Sequence, residues 1–123
     1  MLVTTIDNAY QLEELFRKCG RENHFSYEGF NALYDYLDEY SDEINEPFEV
    51  NVIALCCDFT EYSGWEELYN NYSYSYNNKS ETFEKLEENN ELDDFIEWVQ
   101  DRTTVINVTD YRNNIVGIII QDF

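Results

Sequence analysis

The sequence predicts an α+β fold in a single domain over residues 1–123, with helices packed on a small, mainly antiparallel sheet that ends in a C-terminal β-hairpin. Three observations lead there. Apolar residues recur at helical spacing in three separate stretches. The chain ends in two β-branched runs parted by a turn signal. No repeat or linker divides a chain whose 123 residues suit one domain.

The first stripe is Leu12, Leu15, Phe16 and Cys19, which predicts a helix over about 8–19. Asp7 is its expected cap and Gly20 its expected end, with Arg17 and Lys18 in the last turn. Phe30, Leu33, Leu37, Tyr40 and Ile44 form the core stripe of a second helix over about 27–44. Ser26 is placed to cap it, and Pro47 lies just beyond its end. "FEVNVIALCCDF" is β-branched and apolar almost throughout, which predicts a buried central strand over about 48–58. Cys56 and Cys57 would then point to opposite faces as small core filler.

Ser63 and Glu66 match a capping box, which predicts a short helix over about 64–71. "NNYSYSYNNKS" reads as a polar loop or irregular strand. If extended, it puts Tyr72, Tyr74 and Tyr76 on one side. Two helical signals follow, capped by Ser80 and by Asn90; the second carries the stripe Leu92, Phe95, Ile96 and Val99. "TTVINVT" and "NIVGIIIQ", joined by "DYRNN", complete the chain as a hairpin.

The net charge of -20 is concentrated in the middle of the chain. Residues 22–78 hold thirteen acids and no Lys or Arg, whereas both ends are balanced. Such a charge repels nucleic acid and anionic membrane and speeds encounter with basic surfaces. Three cysteines, two of them adjacent, do not form a disulfide framework. The N-terminus has no basic region followed by an apolar run, so a cytoplasmic protein is expected.

Catalysis finds little support. The chain has one histidine, His24, and no C-x-x-C pair, glycine-rich phosphate loop or G-x-S-x-G elbow. A register counted from Asp35 puts Leu37 and Tyr40 where an EF-hand loop needs an oxygen ligand and a glycine. No enzyme activity, cofactor or dedicated metal site is expected.

On the second helix, Asp35, Asp38 or Glu39, and Asp42 follow at spacings of three and four, continued by Glu43 and Glu46. Neighbours at such spacing stand about 5–6 Å apart, the same order as successive phosphates. Glu81, Glu84, Glu88 and Glu91 form a second row, which Asp94, Glu97 and Asp101 extend if the helical segments are nearly collinear. A solvated helix face normally mixes both signs, and like charges at i,i+4 destabilise a helix by about 0.2–0.5 kcal/mol per pair. Two rows that bear this cost predict an acidic mimic for the basic groove of a nucleic-acid-binding protein. Exposed ion pairs contribute about 0.2–1 kcal/mol each, so nanomolar binding also needs anchors. Tyr36, Tyr72, Tyr74 and Tyr76 are the candidates, since phenol rings stack on arginine.

Size, charge segregation and the rows "YDYLDEYSDEINE" and "EKLEENNELDD" resemble the small, acidic, Tyr- and Asn-rich anti-defence proteins of phages and mobile elements. These include anti-CRISPR and anti-restriction nucleic-acid mimics. The resemblance implies a stoichiometric inhibitor that acts by occupation. Its target in a CRISPR effector would be the arginines that read the PAM or the channel that holds the heteroduplex. In a restriction enzyme it would be the DNA-binding cleft. An immunity or antitoxin protein that neutralises a basic nuclease toxin would carry a similar surface.

Overall fold

The computed structural model describes residues 8–44 and 51–123. Among them the order is α1 (Ala9–Lys18), α2 (Tyr27–Ile44), α3 (Val52–Asp58), β1 (Phe59–Tyr62), α4 (Trp65–Asn77), α5 (Phe83–Glu88), α6 (Leu92–Arg102), β2 (Val105–Thr109) and β3 (Ile115–Gln121). The α+β class and the C-terminal hairpin stand as predicted. The sheet order is β1-β3-β2, antiparallel at both pairings, so the last strand to be made lies in the centre.

The register explains the apolar run "GIII". Ile118 pairs with Tyr62 and Ile120 with Val105, and these side chains face one cluster with Leu68, Tyr69, Leu86, Phe95 and Val99. Ile119 pairs with Ile106 and faces the other cluster, built on Leu12, Phe16, Phe30, Leu33, Leu37 and Leu55. Successive strand residues alternate faces, so a strand covered on both sides must be apolar at every position. Helices α1, α2 and α3 cover one face, and α4, α5 and α6 the other. Gly117 sits where a Cβ would lie 2.8 Å from the Tyr62 carbonyl oxygen, so the close approach of β1 excludes a side chain there.

Helix boundaries follow local chemistry. The Asn8 side chain caps α1 by accepting from Gln11 N at 2.9 Å; the expected cap, Asp7, lies outside the described residues. Gly20, at φ 71°, ends α1, with Arg21 N donating to Phe16 O as in a Schellman turn. Ser26 caps α2 as expected, its Oγ accepting from Gly29 N at 2.9 Å. Glu61 of β1 reaches across to the same point and accepts from Ser26 N at 2.8 Å and Ser26 Oγ at 2.6 Å. A carboxylate at the positive end of a helix is favourable, and here it ties α2 to the sheet.

Several expectations are corrected. Residues 52–58 are helical, and the strand begins only at Phe59; the part of the expected strand before residue 51 lies outside the described residues. Asn51 caps α3 by accepting from Ala54 N, and only Val52 and Leu55 of the helix are buried, with Phe59 just after it, at helical spacing. Ile53 is 50% exposed, so the run was apolar without being buried throughout. Cys56 is half-buried and Cys57 exposed, so they are not paired core filler. Burial pushes the Cys56 thiol up, against the opposing pull of Arg21.

Helix α4 continues through Tyr72, Tyr74 and Tyr76 to Asn77, where a loop or strand was expected. Leu68, Tyr69, Tyr72, Ser73 and Tyr76 make a helical stripe onto the second cluster. The expected capping box of Ser63 and Glu66 does not form: Gly64 is the N-cap of α4 and has no side-chain cap bond, and Ser63, one residue earlier, donates from both N and Oγ to Glu67 Oε2, at 3.1 and 2.6 Å. Those bonds hold the Glu67 carboxyl below the usual range. Thr82, not Ser80, caps α5, by accepting from Lys85 N at 3.2 Å. Asn90 does not cap α6; it takes the left-handed conformation, φ 58°, at the end of α5.

Candidate functional site

The expected partner-binding residues divide between two sides of the molecule. Asp35, Asp38, Glu39, Asp42 and Glu43 are all exposed on α2; Glu46 lies outside the described residues. At about 100° per residue, they fan over the face opposite Phe30, Leu33, Leu37 and Ser41, which are buried. From Asp35 to Glu43 the axis advances about 12 Å, at 1.5 Å per residue. Five carboxylates over that length give a charge about every 2–3 Å, between one strand of DNA at about 3.4 Å and the duplex at about 1.7 Å. The ion pairs among the described residues lie elsewhere: Arg17 with Glu13 and Glu14, and Lys85 with Glu88. Asp35, Asp38, Glu39 and Glu43 enter none of these.

The second row does not form one helix. Glu84 and Glu88 stand exposed on α5, and Asp94, Glu97 and Asp101 stand exposed on α6. The left-handed turn at Asn90 interrupts the helical register between them. Glu88 is partly neutralised by Lys85 at 3.7 Å. Moreover α2 packs against one face of the sheet and α5 and α6 against the other. The outward faces of the two rows therefore point away from each other, and one flat groove can engage only one of them.

Glu81 and Glu91 have left the row for a different setting. Glu81 is half-buried, and its Oε2 has no hydrogen-bond partner apart from what Glu91 offers. The Glu81 carboxyl bonded to Glu91 holds Glu91 above the usual range, helped by partial burial and by Asp94. The folded state therefore binds this proton at a higher pH than the unfolded chain does. The repulsion is relieved below the ordinary Glu value and is fully present once pH exceeds the raised folded value. Glu91→Gln is accordingly expected to raise the thermal midpoint at pH 7, with the gain fading as pH falls towards the ordinary carboxylate range. A gain that does not change with pH would contradict a raised Glu91 carboxyl.

The tyrosines separate by burial. Tyr72 and Tyr76 pack on the second cluster: Tyr72 stacks on Phe123 at 4.6 Å, and Tyr76 meets Phe95 and Trp98 edge-on at 5.1 and 5.2 Å. Burial pushes both phenols up. Tyr74 alone of the three is fully displayed, at 67% exposed, with Lys79 Nζ 5.5 Å from its ring. Tyr36 is half-buried on α2, tilted on Phe59 at 6.0 Å and stacked with Tyr40 at 6.4 Å. Of the expected anchors, Tyr36 is the one the fold places beside the acid row of α2.

Beside Tyr36 lies a cavity of about 290 Å³, closed by α2, α3, Phe59 of β1 and Gln121 of β3. Asp58 and Phe59, at the junction of α3 with β1, line it together with Tyr40. The strand expected over 48–58 concealed this junction. Asn51 as a cap, followed by the spacing of Val52, Leu55 and Phe59, is the signal that would have revealed it.

A second cavity, about 570 Å³, opens at the start of α2 and is lined by His24, Glu28 and Glu61 among others. Two of its polar groups already have structural partners: Glu61 holds Ser26, and His24 Nε2 lies 3.0 Å from the Phe59 carbonyl oxygen. Among the described residues no group of three or more His, Cys, Asp or Glu is arranged to hold a metal ion. No helix among them is long and apolar enough to cross a membrane. Comparison of the chain with protein-family models, with curated proteins and with solved structures finds no match in any of the three.

Proposed function

We propose that the protein is a phage-type anti-defence inhibitor, an acidic mimic that presents α2 to the basic nucleic-acid-binding surface of a defence nuclease complex, with a CRISPR effector as the first target class. The supporting observation is the row Asp35, Asp38, Glu39, Asp42 and Glu43: all exposed, close to nucleic-acid charge density, and on a helix held to the sheet by its other face. The mechanism is occupation. The row steers the protein to a basic groove, Tyr36 and Tyr40 add contact area at its edge, and DNA or RNA is excluded while the complex lasts.

The test is a competition. Target-DNA binding by CRISPR effectors and restriction enzymes is measured with and without the protein across a salt series. Loss of DNA binding that weakens steeply as salt rises is the expected result. A defence complex that binds the protein and still engages DNA equally well would overturn the mimic. Rescue of cells from a co-expressed basic nuclease toxin, without effect on any defence complex, would reassign the protein to immunity.

A further inference from the structure

The acid row explains attraction but gives little strength, so the question is which side chain of a basic partner the surface grips. We propose that the cavity between α2 and the α3–β1 junction is a socket for one arginine side chain of the partner, with the rings of Tyr36 and Tyr40 as its wall and the Asp58 carboxylate at its rim. This rests on the mimic reading and sharpens it by naming the anchor.

Four observations carry it. First, size: about 290 Å³ falls at or below the lower end of the roughly 300–1,000 Å³ of small-molecule sites, and suits a single inserted side chain. Second, shape and lining: Leu37 and Phe59 supply apolar surface for an aliphatic stem, while Tyr36 and Tyr40, inclined at 26° to each other, add aromatic lining. A flat guanidinium packs on aromatic rings better than a compact, strongly hydrated ammonium does. Third, charge complementarity: Asp58 lines the cavity, and no Lys or Arg is among its described lining residues. The Asp58 carboxylate takes part in no ion pair or side-chain hydrogen bond among the described residues; only its backbone oxygen is used, accepting from Asp122 N. Fourth, position: Tyr36, Tyr40 and Glu43 follow at spacings of four and three on the flank of α2, so the mouth borders the acid row. An arginine drawn in by the row thus meets aromatic lining, a stem channel and a carboxylate within one helical turn or two.

The probes are hexa-arginine and hexa-lysine peptides, which carry equal charge, titrated into the full chain at about 0.15 M salt, where the screening length is about 8 Å. The expected result is tighter binding of hexa-arginine by about five-fold or more, the scale of one cation–π contact. Shifts should centre on the ring resonances of Tyr36, Tyr40 and Phe59. Tyr40→Ala and Asp58→Asn replace exposed side chains, so they test the socket without unpacking the core. Each should remove the arginine preference by bringing hexa-arginine binding down to the level of hexa-lysine binding to the same variant. Equal binding of the two peptides, or a preference that survives both variants, overturns the socket and leaves the mimic standing. If neither peptide binds the unaltered protein at that salt or below, the mimic reading and the socket fail together.

Discussion

Reversal of four α2 carboxylates in one variant, D38K/E39K/D42K/E43K, is expected to weaken partner binding by at least about 100-fold while the fold is kept. Loss of four exposed ion pairs at about 0.2–1 kcal/mol each removes about 1–4 kcal/mol, and four new cations add repulsion from a basic groove. The fold is safe because every one of these side chains is exposed and none belongs to either core cluster. Stability should even rise slightly. Asp35 would gain lysines at i+3 and i+4, the favourable order, each worth about 0.2–0.5 kcal/mol. Lysines near the C-terminal end of α2 also suit its dipole. The checks are the DNA competition assay for binding and a urea transition for stability. Unchanged inhibition by a folded variant would move the interface to the α5–α6 face, around Glu84, Asp94 and Glu97. Since the two rows lie across the sheet from each other, this one variant decides between them.

The second large effect concerns the other side of the sheet. Phe95→Ala is expected to cost about 3–5 kcal/mol, the usual range for truncating a buried phenylalanine. Phe95 is fully buried and meets Tyr69 and Tyr76 edge-on, each at 5.1 Å, Trp65 at 6.3 Å and stacked Trp98 at 6.0 Å. Four large rings cannot close the space without leaving their other contacts, such as Tyr69 with Phe83 and Trp98 with Phe123. Against a typical net stability of about 5–15 kcal/mol, the loss removes a fifth or more of the whole. Denaturant unfolding reads it directly. A change below about 1 kcal/mol would mean that this aromatic cluster is loosely packed. Because α2 lies on the opposite face, whatever remains folded should still bind a basic partner.

The elements legible from sequence are those whose pattern and caps agree. Helix α2 is legible with its observed bounds because Ser26, the stripe from Phe30 to Leu37 and the acids between them agree; Tyr40, expected on the same core stripe, is instead exposed, and Ser41 is buried. The hairpin was read because two β-branched runs flank a turn that Asp110 organises, its Oδ1 accepting from Arg112 N and Asn114 N. Helix α3 failed because composition overrode spacing: "VIALCC" is as apolar as a buried strand, yet only every third or fourth side chain goes inward. The tyrosine segment failed for the opposite reason. Strict alternation in "YSYSY" mimics a strand, while the helical stripe through Tyr69, Tyr72, Ser73 and Tyr76 is diluted by Ser and Asn.

The same division runs through the candidate site. Sequence alone determined that the middle of the chain is acidic without compensation and that α2 carries its acids outward. Both follow from local order: helical periodicity puts residues three and four apart on one face, and the thirteen acids of residues 22–78 lie in a stretch that holds no Lys or Arg. Tertiary structure decided the rest. It placed the two acid rows on opposite sides, partly buried Tyr72 and Tyr76 against the second cluster, set Glu81 against Glu91 so that the Glu91 carboxyl is raised, and brought Asp58 and Phe59 to the edge of Tyr36. The physical reason is the central strand β3. Its two apolar faces require cover on both sides, and which helix covers which face depends on contacts between segments far apart in the chain, which no local pattern encodes.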